Sequence, residues 1–244
     1  MKAFIFAAGL GTRLRPLTLD KPKALVEVGG KTMLERTIST LKDAGFSDFV
    51  INVHHFADKI ERYLAENDNF GCNIAISDER AMLLDTGGAI ASARRILGDE
   101  PFLVHNVDIV SNLDIRSFVD GGLDGALARL VVSDRPSSRK LLFDEDDCLC
   151  GWLNTKTGEV RGPASVTPEI VRDILAFSGI HMLSPEVFDL MAGWPAKFSI
   201  IDFYLATCAS HRILATVPDS LRLQDMGTPE AVAEKSKELA GLQK

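Results

Sequence analysis

Cysteine is scarce in this chain, and its arrangement builds no framework. The four cysteines are Cys72, Cys148, Cys150 and Cys208. Cys148 and Cys150 have one residue between them rather than two, and no second pair answers them. That argues against a zinc site or a disulfide scaffold and for free thiols. No dense block of lysine and arginine occurs, and the formal net charge is −7, which argues against a nucleic-acid partner. A membrane helix needs about 20 apolar residues in a row, and no run here approaches that length. The N-terminus carries no charged-then-apolar leader. These absences together predict a soluble, cytoplasmic protein with no membrane partner. Two standard nucleotide signatures are also missing. The dinucleotide fingerprint requires a third glycine where Leu14 stands, and no Gly-Lys-Ser/Thr ending marks a P-loop.

What is present points to a small anionic substrate. At 244 residues and 46% hydrophobic content, the chain suits one large α/β domain spanning 1–244 with an ample core. Residues 3–8 form a short apolar run bounded by glycine, the pattern of a buried strand. A loop follows with Gly9, Gly11, Thr12, Arg13 and Arg15, then Pro16, Pro22 and Lys23. Glycines there permit positive φ or close approach of a bulky group. Successive free N–H groups in such a loop make a concave anion site. Arg13 adds a planar fork of donors, and Lys23 a compact mobile charge.

Strands and helices alternate from there. The patterns predict helices over 33–44, capped by Thr32, over 57–66 and over 87–97. Strands are predicted over 49–53, 73–77 and 102–105. This rhythm implies a parallel sheet covered on both faces, with ligands beyond the carboxyl ends of its strands. The glycine loop and Asp108 both fall at that edge. The second half changes character: a short helix over 115–120, a strand over 126–132, and a hairpin of 140–143 with 149–153 around an acidic turn. A proline-containing loop over 162–169 follows. A strand over 174–183, interrupted by Ser178 and Gly179, leads to helices over 185–191 and 199–208. A strand over 212–217 and a helix over 228–241 close the chain. His54 and His55 sit at a strand end, where neighbours point to opposite faces, so they read as loop-entry residues rather than a metal pair.

The stretch Ala7-Ala8-Gly9-Leu10-Gly11-Thr12-Arg13-Leu14-Arg15-Pro16-Leu17-Thr18, followed by Pro22-Lys23, resembles the signature of the sugar-1-phosphate nucleotidyltransferases. The resemblance extends over most of the chain. It implies a Rossmann-like three-layer α/β/α fold of the GT-A-like kind, with a mostly parallel mixed sheet and a small hairpin lobe for sugar. Residues 1–112 would be the nucleotide-binding half, 113–227 the sugar-binding half and 228–241 a C-terminal helix. Asp108 and Asp225, each by itself readable as a loop-capping residue, are implied as ligands of Mg²⁺. Where the family usually has glycine before the first of these, this chain has Val107.

The resemblance also implies the chemistry. A sugar 1-phosphate attacks the α-phosphorus of a nucleoside triphosphate, and pyrophosphate leaves. The nucleophile is already an anion, so catalysis reduces to positioning and charge neutralisation. Arg13 would hold the departing phosphates and Lys23 the reacting centre. Ala8, Gly9, Gly11 and Thr12 would cradle the nucleotide. Glu79, Gly87 and Gly88 would meet the base, and Asn106, Asn154 and Gly179 the sugar. A carboxylate at Glu79 could accept from uracil or from guanine, so it leaves the base open. In compactness the chain most resembles the N-acetylmuramate-1-phosphate uridylyltransferases of cell-wall recycling, which favours UTP. Short mannose- or heptose-1-phosphate guanylyltransferases are the alternative, and a catalytically silent nucleotide-sugar sensor is a third reading. A phosphocholine cytidylyltransferase-like enzyme ranks lower. The expected state is a monomer or homodimer.

Overall fold

The computed structural model describes residues 1–163 and 166–241. Strand β1 (Ala3–Phe6) leads into the glycine loop, which holds single 3-10 turns at Thr12–Leu14 and Lys23–Leu25. A small ribbon, β2 (Glu27–Val28) with β3 (Lys31–Thr32), precedes α1 (Met33–Asp43). The alternating half continues as β4 (Asp48–Val53), α2 (Ala57–Glu66), β5 (Asn73–Asp78), α3 (Asp85–Ser92), α4 (Arg94–Leu97) and β6 (Phe102–Asn106). Next come β7 (Ile109–Ser111), α5 (Ile115–Asp120), β8 (Ala128–Ser133) and the hairpin of β9 (Arg139–Phe143) with β10 (Leu149–Asn154). The chain ends through β11 (Val160–Arg161), β12 (Asp173–Leu183), α6 (Val187–Leu190), α7 (Ile200–Thr207), β13 (Ile213–Thr216), β14 (Leu223–Asp225) and α8 (Pro229–Gly241).

Strands β5, β4, β1 and β6 are mutually parallel and lie side by side in that order. Ala3, Phe4 and Ile5 of β1 are fully buried, because the sheet is covered on both faces. Alternate side chains feed two separate cores. Ile5, Ile51 and Leu103 pack with Leu34, Ile38 and Ile60 of α1 and α2 on one face. Phe4, Val50 and Val104 pack with Ile90 of α3 and Phe203 of α7 on the other. The result is the three-layer α/β/α architecture the sequence implied. Helix α1 forms where predicted. Met33, Leu34, Thr37, Ile38 and Leu41 share its buried face, and the Thr32 side chain caps it by accepting from the Glu35 N–H at 3.0 Å.

β12 joins the halves. It runs antiparallel to β6 on one edge and to β8 and β9 on the other. Its register against β8 slips between Phe177 and His181, and Gly179 in that bulge has φ of 80°. Several boundaries differ from expectation. β1 stops at Phe6 rather than at residue 8, because the N–H groups of Ala7 and Ala8 turn to Asn52 Oδ1 at 2.7 and 3.3 Å. The helix predicted over 87–97 starts at Asp85 and breaks at Ala93. The antiparallel ribbon of β7 with β14 has no periodic pattern in the sequence and was not predicted. The loop over 162–169 includes residues 164 and 165, which lie outside the described residues. Among the described residues, no helix is long and apolar enough to cross a membrane.

Candidate active site

The carboxyl ends of β1, β4 and β6 open into a cleft of roughly 530 Å³, a size typical of small-molecule sites. Gly9, Arg13, Lys23, Asn106, Asp108 and Asp225 all line it. The ribbon of β7 and β14 explains how two residues far apart in sequence meet there. Asp225 pairs in register with Ile109, and the Met226 N–H donates to the Asp108 carbonyl at 2.8 Å. Gly227 then keeps the space open. A Cβ at that position would lie 2.6 Å from Arg13 Nη2 and 2.7 Å from Asp225 Oδ1. Val107 fits without disturbing Asp108: its side chain is buried in the core and its carbonyl accepts from Thr37 Oγ1 at 3.2 Å.

The charges in this corner are unevenly paired. The Lys23 ammonium donates to Asp108 Oδ2. Arg13 is mostly exposed and lies 3.8 Å from Asp225 Oδ2. Burial alone would push the Asp108 carboxyl up, but the Lys23 charge and hydrogen bond hold it below the usual carboxylate value. Burial, and then the Asp108 charge, push the Asp225 carboxyl above that value. Asp225 Oδ1 is buried with no hydrogen-bond partner among the described residues. Two hard oxygen donors, one of them orphaned and both repelling, suit a divalent cation placed between them and a phosphate. Among the described residues no group of three or more His, Cys, Asp or Glu side chains gathers. The pair therefore fits an ion that completes its shell with water and substrate oxygens, as Mg²⁺ commonly does, rather than a closed protein cage.

Other predicted residues have different roles. Gly9 lines the cleft, and a Cβ there would have nothing within 4 Å. Ala8 also lines it, anchored by Asn52. Gly11 and Thr12 do not reach the cleft wall. Gly11, at φ 62°, turns the loop so that it packs on Thr18 and Lys23, and Thr12 begins the 3-10 turn that presents Arg13. Asn106 does line the cleft, with Gly179 packed against it: a Cβ on Gly179 would lie 2.5 Å from Asn106 Nδ2.

Besides Gly11 and Thr12, three further expectations need correction. Glu79 lines the cleft but is only 2% exposed, and its carboxylate is engaged. Oε1 accepts from Asn52 Nδ2 at 2.7 Å and Oε2 from the Leu84 N–H at 3.0 Å. Burial nevertheless pushes its pKa up. Glu79 thus holds Asn52, which holds Ala7 and Ala8, so it shapes the glycine loop. Gly87 and Gly88 do not line the cleft. Their N–H groups donate to the Phe198 carbonyl at 2.9 and 3.2 Å. A Cβ on Gly87 would strike the Phe198 ring at 2.3 Å, and one on Gly88 the Ala196 oxygen at 2.2 Å. They are glycines so that the 196–198 segment can lie against α3, and Thr86 Oγ1 accepts from the Ile200 N–H at 2.9 Å. Asn154 is a turn residue of the β10 hairpin: its Oδ1 accepts from the N–H groups of Lys156 and Thr157 at 3.0 and 3.4 Å, and it lies outside the cleft lining.

The sequence reading also missed three residues. Asn52 looked like one more position of a buried strand. Arg135 and Lys197 line the cleft from polar loops that carry no motif. His54 behaves as expected, its Nδ1 bonding the Glu79 carbonyl at 2.6 Å.

Comparison with known proteins gives the chain's relatives. The chain is 34% identical over 233 residues to an N-acetylmuramate α-1-phosphate uridylyltransferase of Caulobacter vibrioides, covering 94% of this chain and 93% of that protein. It is 35% identical over 195 residues to a mannose-1-phosphate guanylyltransferase catalytic subunit β of Drosophila pseudoobscura pseudoobscura, covering 77% of this chain and 49% of that one. HddC of Yersinia pseudotuberculosis, solved with GMP-PN, superposes with a TM-score of 0.75 at 24% identity, covering 97% of this chain and 98% of that one. A model of the Nucleotidyl transferase family matches residues 2–128, the half that carries the glycine loop, Lys23 and Asp108, and to that family the chain belongs.

Proposed function

We propose that the protein is a Mg²⁺-dependent sugar-1-phosphate nucleotidyltransferase that joins UTP to N-acetylmuramate 1-phosphate and releases pyrophosphate. The observation that carries this reading is the meeting of Asp108 and Asp225 beside Lys23 and Arg13 in one cleft. A sensor that only binds would gain nothing from an orphaned carboxylate oxygen held against a second carboxylate. The uridylyltransferase relative, matched over nearly its whole length, supports the substrate pair. On this reading the protein serves cell-wall recycling in the cytoplasm.

The chain's residues then divide the work. The acceptor phosphate is anionic at neutral pH, so no protein base is required. Lys23 neutralises charge at the reacting phosphorus, and Arg13, mostly exposed at the cleft mouth, holds the departing phosphates. The loop at Ala8 and Gly9 gives the triphosphate close access to backbone, and Asn106 orients the acceptor. Asp108 and Asp225 would hold Mg²⁺, which would supply charge neutralisation for the two mutually repelling substrates.

A guanylyltransferase acting on mannose 1-phosphate is the second reading, favoured by the Drosophila relative. Pyrophosphate release is to be measured for UTP, GTP, CTP, ATP and dTTP against N-acetylmuramate, N-acetylglucosamine, mannose and glucose 1-phosphates. UTP with N-acetylmuramate 1-phosphate should give the highest kcat/KM. GTP with mannose 1-phosphate in first place would move the assignment to the second reading, and silence with every pair would overturn both.

A further inference from the structure

Two of the cations that line the cleft stand apart from the glycine loop. Besides Arg13 and Lys23, its wall carries Arg135 and Lys197, set on different elements from the glycine loop. Arg135 follows β8, and its Nη2 donates to the Phe177 carbonyl at 2.9 Å, directly before the Ser178–Gly179 bulge. That bond fixes the guanidinium plane at the sugar-facing wall. Arg135 Nε is buried with no acceptor among the described residues. Lys197 is exposed and lies in the segment that Gly87 and Gly88 admit against α3. Among the described residues, neither cation has a carboxylate within salt-bridge distance. The acidic groups in the same lining are Glu79 and Asp85 as well as Asp108 and Asp225. Glu79 is committed to Asn52 and Leu84, and Asp85 Oδ1 accepts from the Thr86 N–H at 2.6 Å.

A buried guanidinium N–H without an acceptor is unfavourable. Arg135 lines the cleft, and a planar oxyanion arriving on the sugar matches the fork geometry of its guanidinium. We propose that Arg135, assisted by Lys197, is a carboxylate-binding subsite that selects a sugar 1-phosphate bearing an acidic substituent on its ring. Arg135 is the specificity-determining residue, and Lys197 adds long-range attraction from the rim. The inference rests on the nucleotidyltransferase reading and narrows it to acidic acceptors. A sugar lacking the acid would leave the guanidinium unmatched, which penalises it more than a missing apolar contact would.

Two measurements test this separately from the parent reading. The first is the ratio of kcat/KM for N-acetylmuramate 1-phosphate over N-acetylglucosamine 1-phosphate, which share a ring and differ in the carboxylate-bearing ether. The ratio should exceed unity in the native protein and fall by roughly 30-fold in Arg135→Gln, mainly through the KM of the acidic acceptor. Lys197→Ala, on an exposed segment, should lower it by about threefold and serves if Arg135→Gln folds poorly. A native ratio near one, or equal losses on both acceptors, overturns the subsite while leaving the enzyme assignment intact. The second is a thermal-shift titration with each sugar phosphate and no nucleotide. Selective stabilisation by the acidic sugar, lost in Arg135→Gln, supports the subsite even if no nucleotide pair is turned over. Equal stabilisation by both sugars counts against it.

Discussion

Two carboxylates forced together in a partly buried corner cost stability, and the cost differs between them. Asp225 carries an orphaned oxygen and faces Asp108, whose charge Lys23 already answers. Replacing Asp225 with Asn removes the repulsion but also, on the proposed function, a cation ligand. Turnover should fall by roughly 10²–10³, while the thermal midpoint of the ligand-free protein rises. Asp108→Asn is predicted to behave differently. It strips the partner from a Lys23 ammonium whose side chain is only 17% exposed, so activity falls and stability drops by about 2 kcal/mol. Calorimetry on both variants, beside the turnover assay, checks the split. Equal losses of stability would mean that the two aspartates do not share a cation-poised corner. The residue scale is also where the sequence was least explicit. Glu79, Asn154, Gly87 and Gly88 have the right types for ligand contact, yet a side chain's hydrogen-bond partners depend on what the fold brings alongside. For Glu79 that is Asn52, and for the two glycines it is the backbone of residues 196–198.

Among the elements, the glycine loop separates two uses of the same residue. Gly11 sits at φ 62°, and an added Cβ would press on Thr18 Cγ2 at 3.0 Å and on Lys23 Cβ at 3.1 Å. Gly9 has no such neighbour. Gly11→Ala should therefore cost about 1–2 kcal/mol in backbone strain and displace Lys23, visible as a lower denaturation midpoint and a lower kcat. Gly9→Ala should keep the native midpoint but raise the KM for the triphosphate, because the new methyl stands in the cleft. Reversed behaviour of the two variants would remove Gly9 from the nucleotide contact. Elements with a strong apolar period, such as α1, α2 and the buried β4, were legible within a residue or two. The ends of β1 and the ribbon of β7 with β14 were not. In the first case an asparagine on a neighbouring strand takes the backbone N–H groups. In the second, three-residue strands are too short to show any period.

At the scale of the whole molecule, the alternating first half meets the irregular second half where β6 lies against β12. The alternation of the first half predicted the parallel sheet. What it could not predict was which strand of the irregular second half would close that edge, since long-range pairing is set by packing rather than by local pattern. Arg135 reaches the cleft only because β8 flanks β12, so no motif could have revealed it. The same seam buries two histidines. His105 pairs in register with Ile180, and His181 with Val104. They are 2% and 1% exposed. Burial pushes His105 down to about 4. Burial, and then the charge of His105, push His181 down to about 3. Both are therefore neutral in the folded protein at physiological pH, and His181 Nδ1 bonds the buried Tyr204 hydroxyl. The unfolded chain has ordinary histidines that take up protons near pH 6.5. Below that pH the unfolded state binds more protons, so stability falls as pH drops. The contribution is complete above about pH 6.5 and is lost progressively towards the folded-state values, by on the order of a few kcal/mol. Urea midpoints should be level from pH 8 to 7 and decline between pH 6 and 4.5, above the range where most carboxylates titrate. His181→Gln, which cannot take up that proton, should show a visibly shallower decline over the same window. An unchanged slope would mean that protonation at the seam does not couple the two halves to pH, and that acid unfolding begins elsewhere.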